Sequence, residues 1–377
     1  MTEGNQGSNV QSDEAVSEQL VAVKERWYYP SDIEKDLKDV DIPFRAKEAV
    51  FATAWEYTRC VIPEYTNWSR YVAFMRIMII GIIAEFRGSL IDVINDDTLL
   101  GYSLTKVLNT LCGGTVGYPW QFFRMRDTET LVRFTIGAAL VCNDLDHIWF
   151  TNEQFDILAE IGNTMYDGAA HCKHCLDGEV SSTFTHISKT KRMVAFHKCR
   201  EALWALDVAW AGKPNMKCVI NFLRYFGGPI HMTMRQYRLV EGGLAPGKPG
   251  TERIIARTQR NVKLWSKLEE KTDSKELELQ SLEQYHGILA RETLLLFNGL
   301  RAMLEEADQF FCSECNYRAI YGAPQDHVFG RCFLCAGCQQ EWAVYTEILL
   351  ERMVKSFPEA AEIIRISEMR ATSSALL

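Results

Sequence analysis

The chain has 377 residues, of which 47% are hydrophobic and 24% charged, and it carries a formal net charge of −8. This composition excludes a disordered, collagen-like or membrane-spanning chain and offers no overall basic field for nucleic acid. Twelve cysteines are too sparse for a disulfide scaffold, and no secretion signal is recognisable, so the thiols are expected free or on metal in a reducing, cytoplasmic setting.

Residues 1–25 are polar and acidic and are expected to form a disordered lead-in, with one helical domain over 26–377. Apolar residues at spacings of three and four predict helices in Arg45–Thr58, Leu131–Phe150, Asn152–Tyr166, Lys191–Trp210, Val219–Val240 and Ile254–Glu270. The most apolar stretch, Tyr71–Phe86, is shorter than a bilayer span and is cut by Arg76 and Glu85, so it reads as a buried helix. Strand-like alternation is nearly absent, and turn signals such as Gly113-Gly114 and Gly212-Lys213-Pro214 fall between the runs. The expected fold class is all-α.

Several groups of residues along these helices carry chemistry. Glu85 is a lone acid in an apolar run, which points either to an ion pair with an arginine or to an acid or base with a raised pKa. The run Leu131–Phe150 presents Asn143, Asp144, Asp146 and His147 on its last turns, a candidate magnesium shelf or else a solvated helix end. Gly227-Gly228-Pro229 predicts a helix break, around which lie Arg224, His231, Arg235 and Arg238. Arg235 and Arg238 share a helical face and suit a diphosphate held by forked hydrogen bonds, with surface salt bridging as the alternative. Aromatic residues such as Trp55, Phe74 and Trp149 can line a hydrocarbon pocket or simply pack the core.

Near the C-terminus, Cys312-x-x-Cys315 and Cys335-x-x-Cys338 form two knuckles able to deliver four thiolates to one zinc ion. Such a closed site has a folding role, and redox-active or free thiols are the alternative. Cys332 adds a fifth thiol close to the second knuckle. A further cluster, His171-Cys172-Lys173-His174-Cys175, lacks a partner at zinc-finger distance and reads as a polar helix end.

Several stretches carry a specific resemblance. They are WYYPSD at 27–32, AWEYTRCVIP at 54–63, YTNW at 65–68, RYVAFMR at 70–76 and GIIAEFRG at 81–88. They continue with FRMRD at 123–127, CNDLD at 142–146, FGGPIHM at 226–232 and the cysteine knuckles. In these the sequence resembles the fungal α-ionylideneethane synthase family, unusual sesquiterpene cyclases of abscisic acid biosynthesis to which some humulene synthases also belong.

The resemblance implies a magnesium-dependent lyase that converts farnesyl diphosphate to α-ionylideneethane and releases diphosphate. The implied fold is a class I terpene-synthase-like helical bundle with a small zinc-ribbon-like insertion at 311–339. The family lacks the standard aspartate-rich and asparagine-serine-glutamate motifs. In agreement, Asn261 and Glu269 are similar to the first and last ligands of the latter, while Trp265 stands at the middle position. On this reading magnesium is held around Asn143, Asp144, Asp146, Asn261 and Glu269, and diphosphate by Arg224, Arg235 and Arg238. The family's route through a neutral polyene needs an internal acid or base, for which Glu85 is the first candidate and His231 and Glu48 follow.

The expected partner is an isoprenoid diphosphate, with no nucleic acid, no transmembrane segment and membrane-bound oxidases downstream. The resemblance implies that a block of helical residues carried by family members is missing between Tyr102 and Phe123, through a true deletion or a mis-spliced gene model. A humulene-type cyclase and a non-catalytic helical scaffold with a zinc site are the alternative readings.

Overall fold

The computed structural model describes residues 44–87, 118–171, 174, 182–234, 312 and 334–374. The first half of these forms α1 (Phe44–Val61), α2 (Trp68–Arg87), α3 (Pro119–Thr130), α4 (Val132–Val141) and α5 (Asn152–Ala169). There follow α6 (Thr183–His186), α7 (Arg192–Ala209), a 3-10 turn (Pro214–Met216), α8 (Lys217–Phe226) and α9 (Ile230–Thr233). The C-terminal part holds α10 (Ala336–Glu347), α11 (Leu349–Ser356), a second 3-10 turn (Pro358–Ala360) and α12 (Ala361–Ser374). Among the described residues there is no strand, in line with the all-α expectation. None of these helices is long and apolar enough to cross a membrane.

α5 is the central helix, with α3, α4, α6, α7, α8 and α11 packed around it. Its start is fixed locally: the Thr151 hydroxyl accepts from the Gln154 backbone N–H at 3.2 Å, while Thr151 N–H donates to the Gln154 side chain at 3.0 Å. This reciprocal cap satisfies two otherwise orphaned donors of the first turn. Phe155, Leu158 and Ile161 then enter the core at helical spacing. α1 and α2 pack along each other, and α8 joins them to α4 and α5.

The run predicted as one helix over Leu131–Phe150 is shorter in the structure. α4 ends at Val141, and Asn143, Asp144 and Asp146 sit in the turn that follows. The cause is local competition for the backbone. The Asn143 amide donates to the Ala139 carbonyl at 2.9 Å, and Asp144 takes a left-handed conformation, φ 57°, which short polar side chains tolerate.

The break predicted at Gly227-Gly228-Pro229 is present, between α8 and α9. A Cβ on Gly227 would stand 2.8 Å from the Met165 side chain and 3.0 Å from the Leu223 carbonyl, so only glycine lets the end of α8 approach α5 this closely. The run predicted over Ile254–Glu270, the lead-in at 1–25 and the junction between Tyr102 and Tyr118 lie outside the described residues.

α10 anchors the C-terminal part through Trp342, which is fully buried. Its ring lies 5.1 Å from that of Phe122 and 5.8 Å from that of Phe123 on α3, and stacks on His186 at 4.9 Å. Burial in this aromatic setting pushes the His186 pKa down to about 3, so the imidazole is neutral at physiological pH.

Candidate active site

A cavity of ≈ 360 Å³ runs between α2 and α4. Arg70, Ala73, Phe74 and Ile77 reach it from one face of α2, and Leu131, Phe134, Ala138 and Val141 from one face of α4. Trp149 closes one side, 68% exposed, with its ring over Gly137. The lining is almost wholly apolar, and the polar groups gather towards the two ends of α4, whose ten residues span about 15 Å. Among the described residues, two non-glycine residues have positive φ, Leu131 (58°) and Asp144 (57°), and they bracket this helix. Left-handed backbone costs energy for a bulky residue such as leucine, and strain of this kind collects at functional sites.

At the C-terminal end of α4, Arg70 Nη1 donates to Asp144 at 3.1 Å, to Asp146 at 2.6 Å and to the Val141 carbonyl at 3.1 Å. Asn67 and Thr66 each donate to Asp144 at 2.9 Å. These two hydrogen bonds hold the Asp144 carboxyl below the usual carboxylate range. Asn143 donates to the Glu64 and Ala139 carbonyls, which leaves its side-chain oxygen as an acceptor. The turn therefore concentrates oxygen donors where the helix dipole already favours a cation.

At the other end, the buried carboxylate of Asp127 accepts from Arg133 twice, from its backbone N–H at 2.8 Å and from Nε at 3.0 Å. Arg133 also reaches Asp156 at 2.7 Å and Asn152 at 3.2 Å, and Arg124 meets Asp156 at 3.3 Å. Burial pushes the Asp127 carboxyl up to about 6, with Asp156 adding to the rise and Arg133 opposing it.

α5 continues this polar wiring away from the cavity. Asp156, Glu160, Asn163 and Asp167 follow one another at spacings of four, three and four, and each meets a partner from another helix. Arg352 of α11 pairs with Glu160 at 2.7 Å, Thr130 donates to Asn163 at 2.6 Å, and Arg126 pairs with Asp167 at 2.5 Å. Asp167 also accepts from the Thr183 hydroxyl and lies 3.6 Å from His174. Burial raises the Glu160 pKa against the pull of Arg352.

The structure thus brings Asn143, Asp144 and Asp146 together at the cavity end. Arg224 lies elsewhere, exposed and ion-paired with Asp207 of α7. His231 is fully buried with its ring 4.6 Å from that of Tyr166. Glu48 lies on α1 and Glu85 on α2, with side chains outside the described set. Arg235, Arg238, Asn261, Glu269 and Cys315 lie outside the described residues.

Sequence reasoning did not single out Arg70, Asp127, Arg133 or Asp156 for chemistry. The acid spacing on α5 was a readable signal, whereas the pairing of Arg70 with a turn more than seventy residues on was not.

The thiols of Cys312, Cys335 and Cys338 lie within 4.8 Å of one another and could hold a metal ion. Cys312 Sγ stands 3.6 Å from Cys335 Sγ. That is far beyond a disulfide bond of about 2.05 Å and close to the roughly 3.8 Å edge of a tetrahedron with zinc–sulfur bonds of about 2.3 Å. Cys335 also caps α10, its sulfur accepting from the Cys338 N–H at 3.5 Å.

The family model described as alpha-ionylideneethane synthase aba3 matches residues 25–118 and 116–359. Alpha-ionylideneethane synthase aba3 of Botryotinia fuckeliana (strain B05.10) is 45% identical over 373 residues, covering 89% of this chain and 84% of the relative. Alpha-ionylideneethane synthase abl3 of Leptosphaeria maculans is 44% identical over 388 residues, covering 93% and 90%. The abl3 protein of Pyricularia oryzae (strain Y34) is 40% identical over 428 residues, covering 88% and 83%. The chain belongs to the α-ionylideneethane synthase family.

Proposed function

We propose that the chain is a sesquiterpene synthase that converts farnesyl diphosphate to α-ionylideneethane with release of diphosphate, in a cytoplasmic route to abscisic acid. The observation that carries this reading is the apolar cavity along α4 with a guanidinium at each end. A hydrocarbon chain needs an apolar, water-poor slot, and a diphosphate needs a cation at its mouth. Arg70, part-exposed at the rim, is the group that meets the diphosphate. Phe74, Phe134 and Trp149 turn aromatic surface towards the chain and can stabilise positive charge on it.

Magnesium suits the oxygen donors of Asn143, Asp144 and Asp146, with Asn261 and Glu269 as further ligands from the remainder of the chain. When bound it neutralises the departing diphosphate. Arg70 now occupies part of this donor set. On substrate binding its guanidinium exchanges carboxylate for diphosphate oxygens, leaving the acids to the metal. Arg235 and Arg238 are the further diphosphate candidates, and Glu85 a candidate acid or base. Zinc on Cys312, Cys315, Cys335 and Cys338 serves folding, tying the chain before residue 312 to the start of α10. The apolar product is suited to membrane-bound oxidases.

The reading is tested by alanine at Asp144 and at Asp146 and by glutamine at Arg70. Each is expected to lower diphosphate release by roughly 100-fold, the scale on which a single charge-stabilising group acts. Unchanged release in all three would remove the site from the reaction.

A further inference from the structure

We infer that Asp127 is the group that accepts the proton when the substrate-derived cation becomes a neutral hydrocarbon. This rests on the functional reading above and deepens it. Conversion of a prenyl diphosphate to a hydrocarbon breaks the carbon–oxygen bond, whose electron pair leaves with diphosphate. It must then break one carbon–hydrogen bond next to the cationic carbon, whose electron pair becomes the new double bond. The proton goes to a carboxylate oxygen, which later returns it to solvent, so no oxidant or reductant is required.

Three observations select Asp127. Of the described residues that line the cavity it is the one carboxylate, and the walls between it and Arg70 are apolar. It lies at the end of α4 opposite the diphosphate site, so the departing anion does not compete for the proton at the same place. Finally, Arg133 holds both of its oxygens while each keeps a further lone pair, which fixes the carboxylate without using up its capacity to accept.

Among the described residues, the charged groups around it are Arg133 of α4, Asp156 of α5 and, through Asp156, Arg124 of α3. A buried carboxyl of pKa about 6 is mainly ionised at neutral pH and still a useful base, the condition that favours general-base catalysis. Asp144 and Asp146 are instead exposed and paired with Arg70, and His231 packs on Tyr166 rather than lining the cavity.

The test is incubation of the full chain with farnesyl diphosphate and magnesium, measuring diphosphate, hydrocarbon and farnesol-type alcohols together. Asp127→Asn is expected to release diphosphate within a few-fold of the unaltered chain while hydrocarbon falls by about 100-fold or more, alcohols from water capture taking its place. In the unaltered chain, the ratio of hydrocarbon to diphosphate is expected to fall as pH is lowered through about 6. Taking this ratio removes any effect of pH on binding. The inference is overturned if the ratio in Asp127→Asn is unchanged, if that folded variant loses diphosphate release as well, or if the ratio in the unaltered chain is flat between about pH 5 and 8. Should Asp127→Asn not fold, the pH dependence of the unaltered chain decides. Absence of diphosphate release from the unaltered chain at every pH overturns the functional reading itself, an outcome distinct from the others.

Discussion

Gly137 and Trp149 touch across the cavity: a Cβ on Gly137 would stand 3.4 Å from two atoms of the Trp149 ring. The indole therefore lies on bare helix backbone, and its position sets the width of the slot.

Gly137→Ala separates stability from activity. Alanine removes the entropic cost of glycine inside a helix, so the variant is expected to be as stable or more so, by up to about 1 kcal/mol. The added methyl meets the ring at ordinary contact distance and narrows the cavity, so the product distribution should shift towards less folded hydrocarbons. Denaturant unfolding paired with product analysis checks both halves.

Arg352 of α11 pairs with the buried carboxylate of Glu160 on α5, its own guanidinium part-buried. Breaking the pair leaves one uncompensated charge, so Arg352→Leu is expected to destabilise by about 3–5 kcal/mol. Double substitution of Glu160→Leu with Arg352→Leu is expected to recover much of that loss. Urea unfolding of the two variants decides it, and equal stabilities would mean that the Glu160 carboxylate left unpaired by Arg352→Leu carries no penalty.

Asp127 links stability to pH with a definite sign. Its carboxyl is raised from 3.8 to about 6 by folding, so between these values the folded chain holds a proton that the unfolded chain has lost. Stability from this group is therefore present at low pH and declines as pH rises through that window, by on the order of 3 kcal/mol. The difference in unfolding free energy between the unaltered chain and Asp127→Asn should show this slope from about pH 4 to 6 and flatten above it.

The thiol cluster predicts one zinc per chain. Cys335→Ser is expected to lose the metal and to lower the thermal midpoint by roughly 5 °C or more, where about 2–4 °C corresponds to 1 kcal/mol in a large domain. Elemental analysis with thermal unfolding checks this, and full zinc retention would exclude Cys335 as a ligand. Because Trp342 of α10 packs on α3, the loss should also change tryptophan fluorescence.

Local physics made much of the fold legible. The periodic runs became α1, α5 and α7, and the glycine-proline signal at 227–229 became a real break, because neither depends on distant residues. Of the knuckle cysteines, Cys312, Cys335 and Cys338 lie together in a cluster that could hold a metal ion. The end of α4 was misjudged by the apolar pattern, which continues to Phe150, while Asn143 and Asp144 had already taken over the backbone's hydrogen bonds. The site was harder to read. Asp144 and Asp146 stood out as acids in a greasy run, but the cation between them, Arg70, comes from another helix. Asp127 and Arg133 meet across a left-handed kink at Leu131 that no helical spacing anticipates.

The most direct test of the central claim is incubation of the purified full-length chain with farnesyl diphosphate, with and without magnesium, followed by gas chromatography with mass detection. Magnesium-dependent α-ionylideneethane, accompanied by diphosphate, is the predicted result. No hydrocarbon and no diphosphate release in the presence of magnesium would contradict it.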